Sequence, residues 1–317
     1  MIAEGEGFFA NWADVPAIAV SAEGTVYAHW LARTADETYA YSIFLARSSD
    51  GTVWSPMGTL NDDDTDTEHG FVSYVPEEPG LRAFWLDGRE MATGGPMALR
   101  TALIGDEIGD SRVLDNRVCE CCGTDAVLTA SGPVVVTRDR SEEEIRDIVL
   151  VRRAAEGWSE SERIAADDWR IRGCPVNGPA AAVSGAALAV VWYTAGGTGP
   201  RVQIAFSDDG GGSFGPPLVV DGGRPLGRVD IVEDDSGGFF VSWLEGADNL
   251  AEIRLRRFIA PETAGRPIPV ARTSPSRASG FPRLARLGSE IHLAWVDAGK
   301  EGRSRVRLLA IPLDDIE

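Results

Sequence analysis

The chain has 317 residues, of which 44% are hydrophobic and 25% charged, the balance of a globular protein and enough length for one large β domain or two smaller ones. Thirty basic against 49 acidic residues give a net charge of −19, which excludes a nucleic-acid or anionic-membrane partner and leaves small molecules, metals or cationic groups. Lys300 is the only lysine, a pattern of source composition rather than a requirement for guanidinium groups. No apolar run reaches the roughly 20 residues that span a bilayer. The start, Met1-Ile2-Ala3-Glu4-Gly5-Glu6, has neither a basic nor an apolar leader region, so no signal peptide is expected. A periplasmic or secreted location enters only if an upstream start has been missed.

A strand ending in an aromatic residue recurs along the chain. Its last positions are Trp30, Trp85, Thr137 in place of Trp, Trp192, Trp243 and Trp295, with separations of 55, 52, 55, 51 and 52 residues. About 14 residues before each marker an apolar strand begins, as at Pro16, Phe71, Asp125, Pro179, Val229 and Pro282. A Gly-containing turn joins the two. Third strands such as Tyr41-Ser42-Ile43-Phe44-Leu45-Ala46 and Val202-Gln203-Ile204-Ala205-Phe206 follow, and a short fourth leads to the next unit. Four short strands per repeat of roughly 53 residues, punctuated by 36 glycines and 18 prolines, predict an all-β, six-bladed propeller of antiparallel blades. The whole chain, 1–317, reads as one domain with blade units at 12–66, 67–118, 119–172, 173–226, 227–277 and 278–317. The last unit is short. Residues Gly7 to Asn11, within a closing segment 1–11, are expected to supply its outer strand, because an open ring leaves hydrogen-bonding edges exposed.

Two hairpins between third and fourth strands carry a motif. Ser207-Asp208-Asp209-Gly210-Gly211-Gly212-Ser213-Phe214 matches Ser-x-Asp-x-Gly-x-Thr/Ser-Trp/Phe, the Asp-box, and Ser48-Ser49-Asp50-Gly51-Thr52-Val53-Trp54 is a copy one residue shorter. The aspartate accepts amide hydrogens inside the turn, the glycine permits positive φ, and the aromatic packs beneath. With the six-unit period, these hairpins make the chain resemble the sialidase-type six-bladed propeller over nearly its whole length. The resemblance implies that Ser48, Asp50, Trp54, Ser207, Asp209, Gly211 and Phe214 are structural residues on the rim. It also implies an acid-sugar site of three arginines, a Tyr–Glu nucleophile pair and an Asp acid/base. Here the chain departs from the pattern. The Arg-Ile-Pro strand start is missing, no Tyr–Glu pair carries over, and only Arg228, Arg283 and Asp14 match by location.

Inner strands of a propeller begin around the central channel, so the residues just before them converge on one mouth. Sixteen residues before the markers stand Asp14, His69, Cys121, Val176, Gly227 and Ser279. Neighbouring positions add Asn11, Trp12, Glu68, Cys119, Cys122, Asp125, Cys174, Asn177, Arg228 and Asp230. All four cysteines map to this mouth. Three readings stay open: a disulfide from Cys174 to one of Cys119, Cys121 or Cys122; a soft-metal site of Cys119, Cys121, Cys122, Cys174 and His69, holding copper or zinc; or a reactive thiol with His69 as base and Arg228 lowering its pKa. Asn11, Trp12, Asp125, Asn177 and Asp230 would form the pocket wall. His29 and His292, inside marker strands, are expected to bond locally. The acidic run Asn61-Asp62-Asp63-Asp64-Thr65-Asp66 lacks the EF-hand pattern and reads as a solvated turn. Trp85-Leu86-Asp87-Gly88-Arg89 and Thr137-Arg138-Asp139-Arg140 read as blade-to-blade ion pairs.

The sequence therefore points to a monomeric propeller with a small molecule, metal or sugar in its axial channel. Its first functional reading is a Cys/His site for copper or zinc. The alternatives are an exo-sialidase-type glycoside hydrolase for acidic sugars, using Asp14, Arg228 and Arg283, and a protein-interaction scaffold held by disulfides.

Overall fold

The structure is a computed structural model and describes residues 1–259, 263–298 and 304–316. Six antiparallel sheets follow one another in chain order, each built outward from an inner strand. The inner strands are Ala17–Val20, His69–Glu77, Asp125–Thr129, Ala180–Ser184, Pro225–Asp234 and Gly280–Leu287. The second strands, which carry the markers, are Val26–Arg33, Gly80–Asp87, Gly132–Arg138, Ala187–Thr194, Gly238–Ala247 and Glu290–Ala298. The expected four strands per blade hold for blades one, two and four. In blades three and five the outer position is split: Gly157–Trp158 and Glu162–Arg163 both pair with Ile148–Ala154, and Thr263–Ala264 and Ile268–Thr273 both pair with Leu250–Ile259. Blade six has three strands among the described residues.

The marker tryptophans explain why the repeat is so regular. Trp85, Trp192 and Trp243 are fully buried. Each donates its indole N–H to a carboxylate: Trp85 to Asp87 at 2.9 Å, Trp192 to Asp167 at 2.7 Å and Trp243 to Glu245 at 2.6 Å. A large apolar ring with a satisfied polar edge is well suited to the space between sheets. Thr137, the exception, is also buried.

Apolar clusters join blade one to two, two to three, three to four, four to five and five to six. Among the described residues none joins blade six to blade one. This corrects the expected closure. Residues 7–9 do not extend the last blade. Phe8 bridges Ala32, the Phe9 N–H donates to the Leu31 carbonyl at 2.9 Å, and the Arg33 N–H donates to the Gly7 carbonyl at 2.8 Å. The segment thus lengthens the inner side of blade one, against the half of the Val26–Arg33 strand that Ala17–Val20 leaves unpaired. Between blades six and one lies an open groove lined by Trp12, Pro16, Phe281, Trp295 and Val306. Ile18 (62% exposed) and Val306 (77% exposed) leave apolar surface open to solvent.

Candidate functional site

Four of the six inner strands are entered through a non-glycine residue in the left-handed region: Phe71 (φ 56°), Val176 (φ 51°), Arg228 (φ 57°) and Phe281 (φ 54°). For bulky and β-branched side chains this conformation is costly and is kept only where the surroundings enforce it. Three of the entries are bulged, with register shifts between Gly70 and Ser73, Gly227 and Asp230, and Gly280 and Arg283.

Side chains from the preceding blade enforce these bends. Asp14 accepts the Phe71 N–H at 2.8 Å, and Asn177 accepts the Arg228 N–H at 2.7 Å. One step deeper, Asp125 accepts the Ala181 N–H at 2.8 Å and Asp230 accepts the Leu284 N–H at 2.6 Å. Ser73 and Thr124 share a 2.8 Å hydrogen bond between blades two and three. The predicted pocket-wall residues Asp125, Asn177 and Asp230 are therefore staples between blades. So is Asp14, only 2% exposed, which also lines a pocket with Asp125 and Arg283. The Tyr41 hydroxyl donates toward Asp14 at 3.1 Å and Glu68 at 2.8 Å. Burial raises the carboxyls of Asp14 and Glu68 to about 7 each, and that of Asp125 to about 6. Burial and the neighbouring Asp14 push the Tyr41 phenol far above its usual range.

The axial mouth is a narrow pocket lined by Cys121, Asn177, Arg228, Phe281 and Arg283 among others. Arg228 donates to the carbonyls of Ser279 and, at 3.1 Å, Arg277, and lies over the Phe281 ring at 5.0 Å. Burial, then the neighbouring Arg277, lowers its pKa to about 10. Arg283 keeps 57% of its side chain exposed and meets Asp230 at 3.5 Å. Asn11 and Trp12 lie elsewhere, in the groove between blades one and six.

The cysteines form a second centre on the edge of this mouth. Cys121 is disulfide-bonded to Cys174, tying the entry of blade three to that of blade four, with Cα atoms 5.9 Å apart. Cys119 and Cys122 are free and buried. The Cys119 sulfur lies 3.2 Å from that of Cys122 and 3.8 Å from that of Cys121. Arg146, 1% exposed, donates to the Cys119 sulfur at 3.1 Å and to Glu120 and Glu144 at 3.0 and 2.9 Å. Arg138 is fully buried, donates only to the carbonyls of Asn177, Arg146 and Tyr193, and stacks on Trp169 at 4.9 Å. Burial alone would raise the Cys119 thiol. The Cys122 thiol, the Cys121 N–H and the two guanidinium groups outweigh it and bring Cys119 to about 6. Cys122, more deeply enclosed and beside that sulfur, is pushed well up.

His69 does not join the cysteines. Its Nε2 faces Asp63 at 3.1 Å and Asp87 at 3.8 Å, and its Nδ1 faces the carbonyls of Tyr41 and Thr67. Alternation along the strand turns it into the loop between blades one and two. Arg89 enters the same cluster, meeting Asp62, Asp63 and Asp87 at 2.7, 3.2 and 2.7 Å. The acidic run 61–66 is a solvated turn, with Asp62, Asp64 and Asp66 exposed, in which Asp62 and Asp63 are also ion-paired. Arg89 therefore forms the expected blade-to-blade ion pair, joining Asp62 and Asp63 of blade one to Asp87 of blade two, whereas Arg138 has no carboxylate partner and Arg140 pairs with Glu120 and Glu144 inside blade three. His29 bonds the Tyr74 hydroxyl at 3.0 Å and His292 meets Glu290 at 3.3 Å.

Sequence reasoning placed Glu68 at the mouth but missed Glu120, Arg138 and Arg146. Their one signal was position, beside Cys119 or at the end of a marker strand and the start of the next.

At the rim, Asp50 accepts the Thr52 and Val53 N–H groups at 2.8 and 2.9 Å, and Ser48 accepts that of Gly51 at 2.9 Å. Asp209 accepts the Ser213 N–H at 2.9 Å, Ser207 accepts that of Gly211 at 2.8 Å, and Phe214 packs on the core of blades three and four.

No protein-family model and no curated protein matches this sequence. Solved structures do match in fold. A protein of unknown function from Dyadobacter fermentans DSM 18053 aligns at TM-score 0.64 and 14% identity, covering 98% of this chain and 96% of that one. The GH93 α-L-arabinofuranosidase of Fusarium graminearum, seen in complex with arabinobiose, aligns at TM-score 0.62 and 13% identity, over 96% and 94%. The K499G mutant of the NanB sialidase from Streptococcus pneumoniae aligns at TM-score 0.57 and 10% identity, over 96% and 68%. The chain has the six-bladed propeller fold that sialidases and arabinofuranosidases share.

Proposed function

We propose that this propeller binds a soft metal ion, copper or zinc, through the four sulfurs of Cys119, Cys121, Cys122 and Cys174 in their reduced state. One observation carries the reading: the sulfurs of Cys119, Cys121 and Cys122 lie within 4.8 Å of one another, and Cys174 is bonded to Cys121. Metal–sulfur bonds near 2.3 Å in a tetrahedron set the sulfurs roughly 3.8 Å apart. The Cys119–Cys121 separation of 3.8 Å fits that spacing. Charge supports it too. Four thiolates around a divalent ion carry a net charge of about −2, and the buried Arg138 and Arg146 stand beside them. His69 is not part of this ligand set. The test is a titration of the fully reduced protein with Cu(I) or Zn(II) against a competing chromogenic chelator. The reading expects competition by the wild type and its loss in Cys121→Ser; a wild type that never competes overturns it.

A second reading, hydrolysis of glycosides of acidic sugars, is supported by one feature of the pocket: Arg228 and Arg283 both line it. Asp14, the acid of this reading, shares an adjoining pocket with Arg283, and burial raises its carboxyl to about 7. Turnover of a fluorogenic sialoside that is lost in both Arg228→Ala and Arg283→Ala supports this reading, and no turnover by the wild type removes it.

A further inference from the structure

The oxidised arrangement of the cysteines has its own chemistry, which does not depend on metal binding. Cys174 is exposed and Cys121 half-buried, while Cys119 and Cys122 are buried behind them. The four sulfurs thus run inward from solvent: Cys174, Cys121, Cys119, Cys122. Successive gaps are a covalent bond, then 3.8 Å, then 3.2 Å. Cys119 and Cys122 also have the Cys-x-x-Cys spacing that suits a reversible dithiol. We propose that these cysteines form a disulfide relay, in which one disulfide moves between the surface pair Cys121–Cys174 and the buried pair Cys119–Cys122, and Cys174 exchanges with thiols or disulfides in solution.

The steps balance without an outside oxidant. Cys119, as thiolate, bonds to the Cys121 sulfur, and the Cys121–Cys174 bond breaks to leave Cys174 as thiolate. Cys122 gives up its proton and bonds to the Cys119 sulfur. The Cys119–Cys121 bond breaks, and Cys121 leaves and takes that proton. One disulfide is present throughout, and nothing is oxidised or reduced overall. The surface dithiol that results can then reduce an external disulfide through Cys174, and oxidising equivalents enter by the reverse route. The fold suits this use. The Arg277 guanidinium holds the Cys174 carbonyl at 2.6 Å from another blade, and the Arg138 carbonyl of the same blade holds the Cys119 N–H at 2.9 Å, so the outer end and the interior of the relay are both fixed.

The test maps disulfides in the full chain equilibrated in chelator-containing glutathione buffers of graded oxidation. Thiols are quenched by alkylation, and the unreduced protein is cleaved after Glu120, which separates Cys119 from Cys121 and Cys122. The relay predicts that both Cys121–Cys174 and Cys119–Cys122 disulfides appear in the singly oxidised wild type. Cys122→Ser should accumulate the Cys119–Cys121 disulfide with Cys174 free to alkylate. Cys119→Ser should hold Cys121–Cys174 alone, with Cys174 protected. Finding only Cys121–Cys174 in the wild type at every oxidation state, with Cys174 protected equally in wild type and Cys119→Ser, overturns the relay. The wild-type mapping decides the matter even if a variant folds poorly. Because chelator is present throughout, failure of the relay is separate from failure of metal binding.

Discussion

Arg146 donates to the sulfur of Cys119 across 3.1 Å from a site where only 1% of the arginine meets solvent. The same guanidinium reaches Glu120 and Glu144, so one planar fork fixes the turn that carries the cysteines to the strand entry beneath it. Replacing it with leucine leaves that sulfur without its cation and leaves Glu120 and Glu144 to Arg140 alone, at 3.4 and 2.7 Å. Arg146→Leu is expected to lower stability by about 3 kcal/mol, as breaking a buried charge pair does, measured by urea unfolding. Arg146→Lys should recover only part of the loss, because an ammonium cannot serve three acceptors in one plane.

The inter-blade staples make a second prediction. The Leu284 N–H has Asp230 as its partner, within a residue that is only 6% exposed. Asp230→Ala should cost about 2 kcal/mol, the penalty of a buried donor left unpaired. Asp230→Asn, which keeps an acceptor oxygen, should cost clearly less. Equal losses in the two variants would show that charge, not the hydrogen bond, joins blades five and six.

Asp14 and Glu68 link stability to pH. Burial raises both carboxyls to about 7 from ordinary values of 3.8 and 4.5. Between those limits the folded chain holds protons that the unfolded chain has released, so stability is greatest below about pH 4 on this account and falls as pH rises to about 7. His29, lowered by burial to about 4, acts in the opposite direction below its ordinary 6.5. Cys119, lowered to about 6, also opposes the fall above pH 6, so the expectation is a stability, read from the denaturation midpoint, that falls between pH 5 and pH 6. In Asp14→Asn the dependence between pH 5 and 7 should flatten by up to about 1.4 kcal/mol per pH unit, one proton's worth. An unchanged slope would remove Asp14 from the linkage.

The fold was largely legible because each repeat repeats its own physics. An apolar strand, a glycine turn and a marker residue recur at a period that matches one blade, and the buried rings of Trp85, Trp192 and Trp243 are what hold that period. Ring closure was not legible. Whether Phe8 pairs with the last blade or with Ala32 depends on a long-range choice that a short apolar segment does not encode. Counting back from the markers did bring Cys121, Cys174, Asn177 and Arg228 to one mouth. It misplaced His69, since a count along the chain gives height above the sheet and not the direction of the side chain. It gave no sign that Asp14, Asp125 and Asp230 also staple the blades together, because the backbone N–H that each carboxylate captures belongs to another blade, more than 50 residues away. The buried Arg138 and Arg146 had no sequence signal of burial, since arginine ordinarily stays at the surface.

The most direct measurement of the central claim is elemental mass spectrometry on untagged protein purified without oxygen. The four-sulfur site predicts about one equivalent of copper or zinc per chain, released when the thiols are modified and missing from Cys121→Ser. Protein that carries neither metal, and takes up neither after reduction and reconstitution, would contradict it.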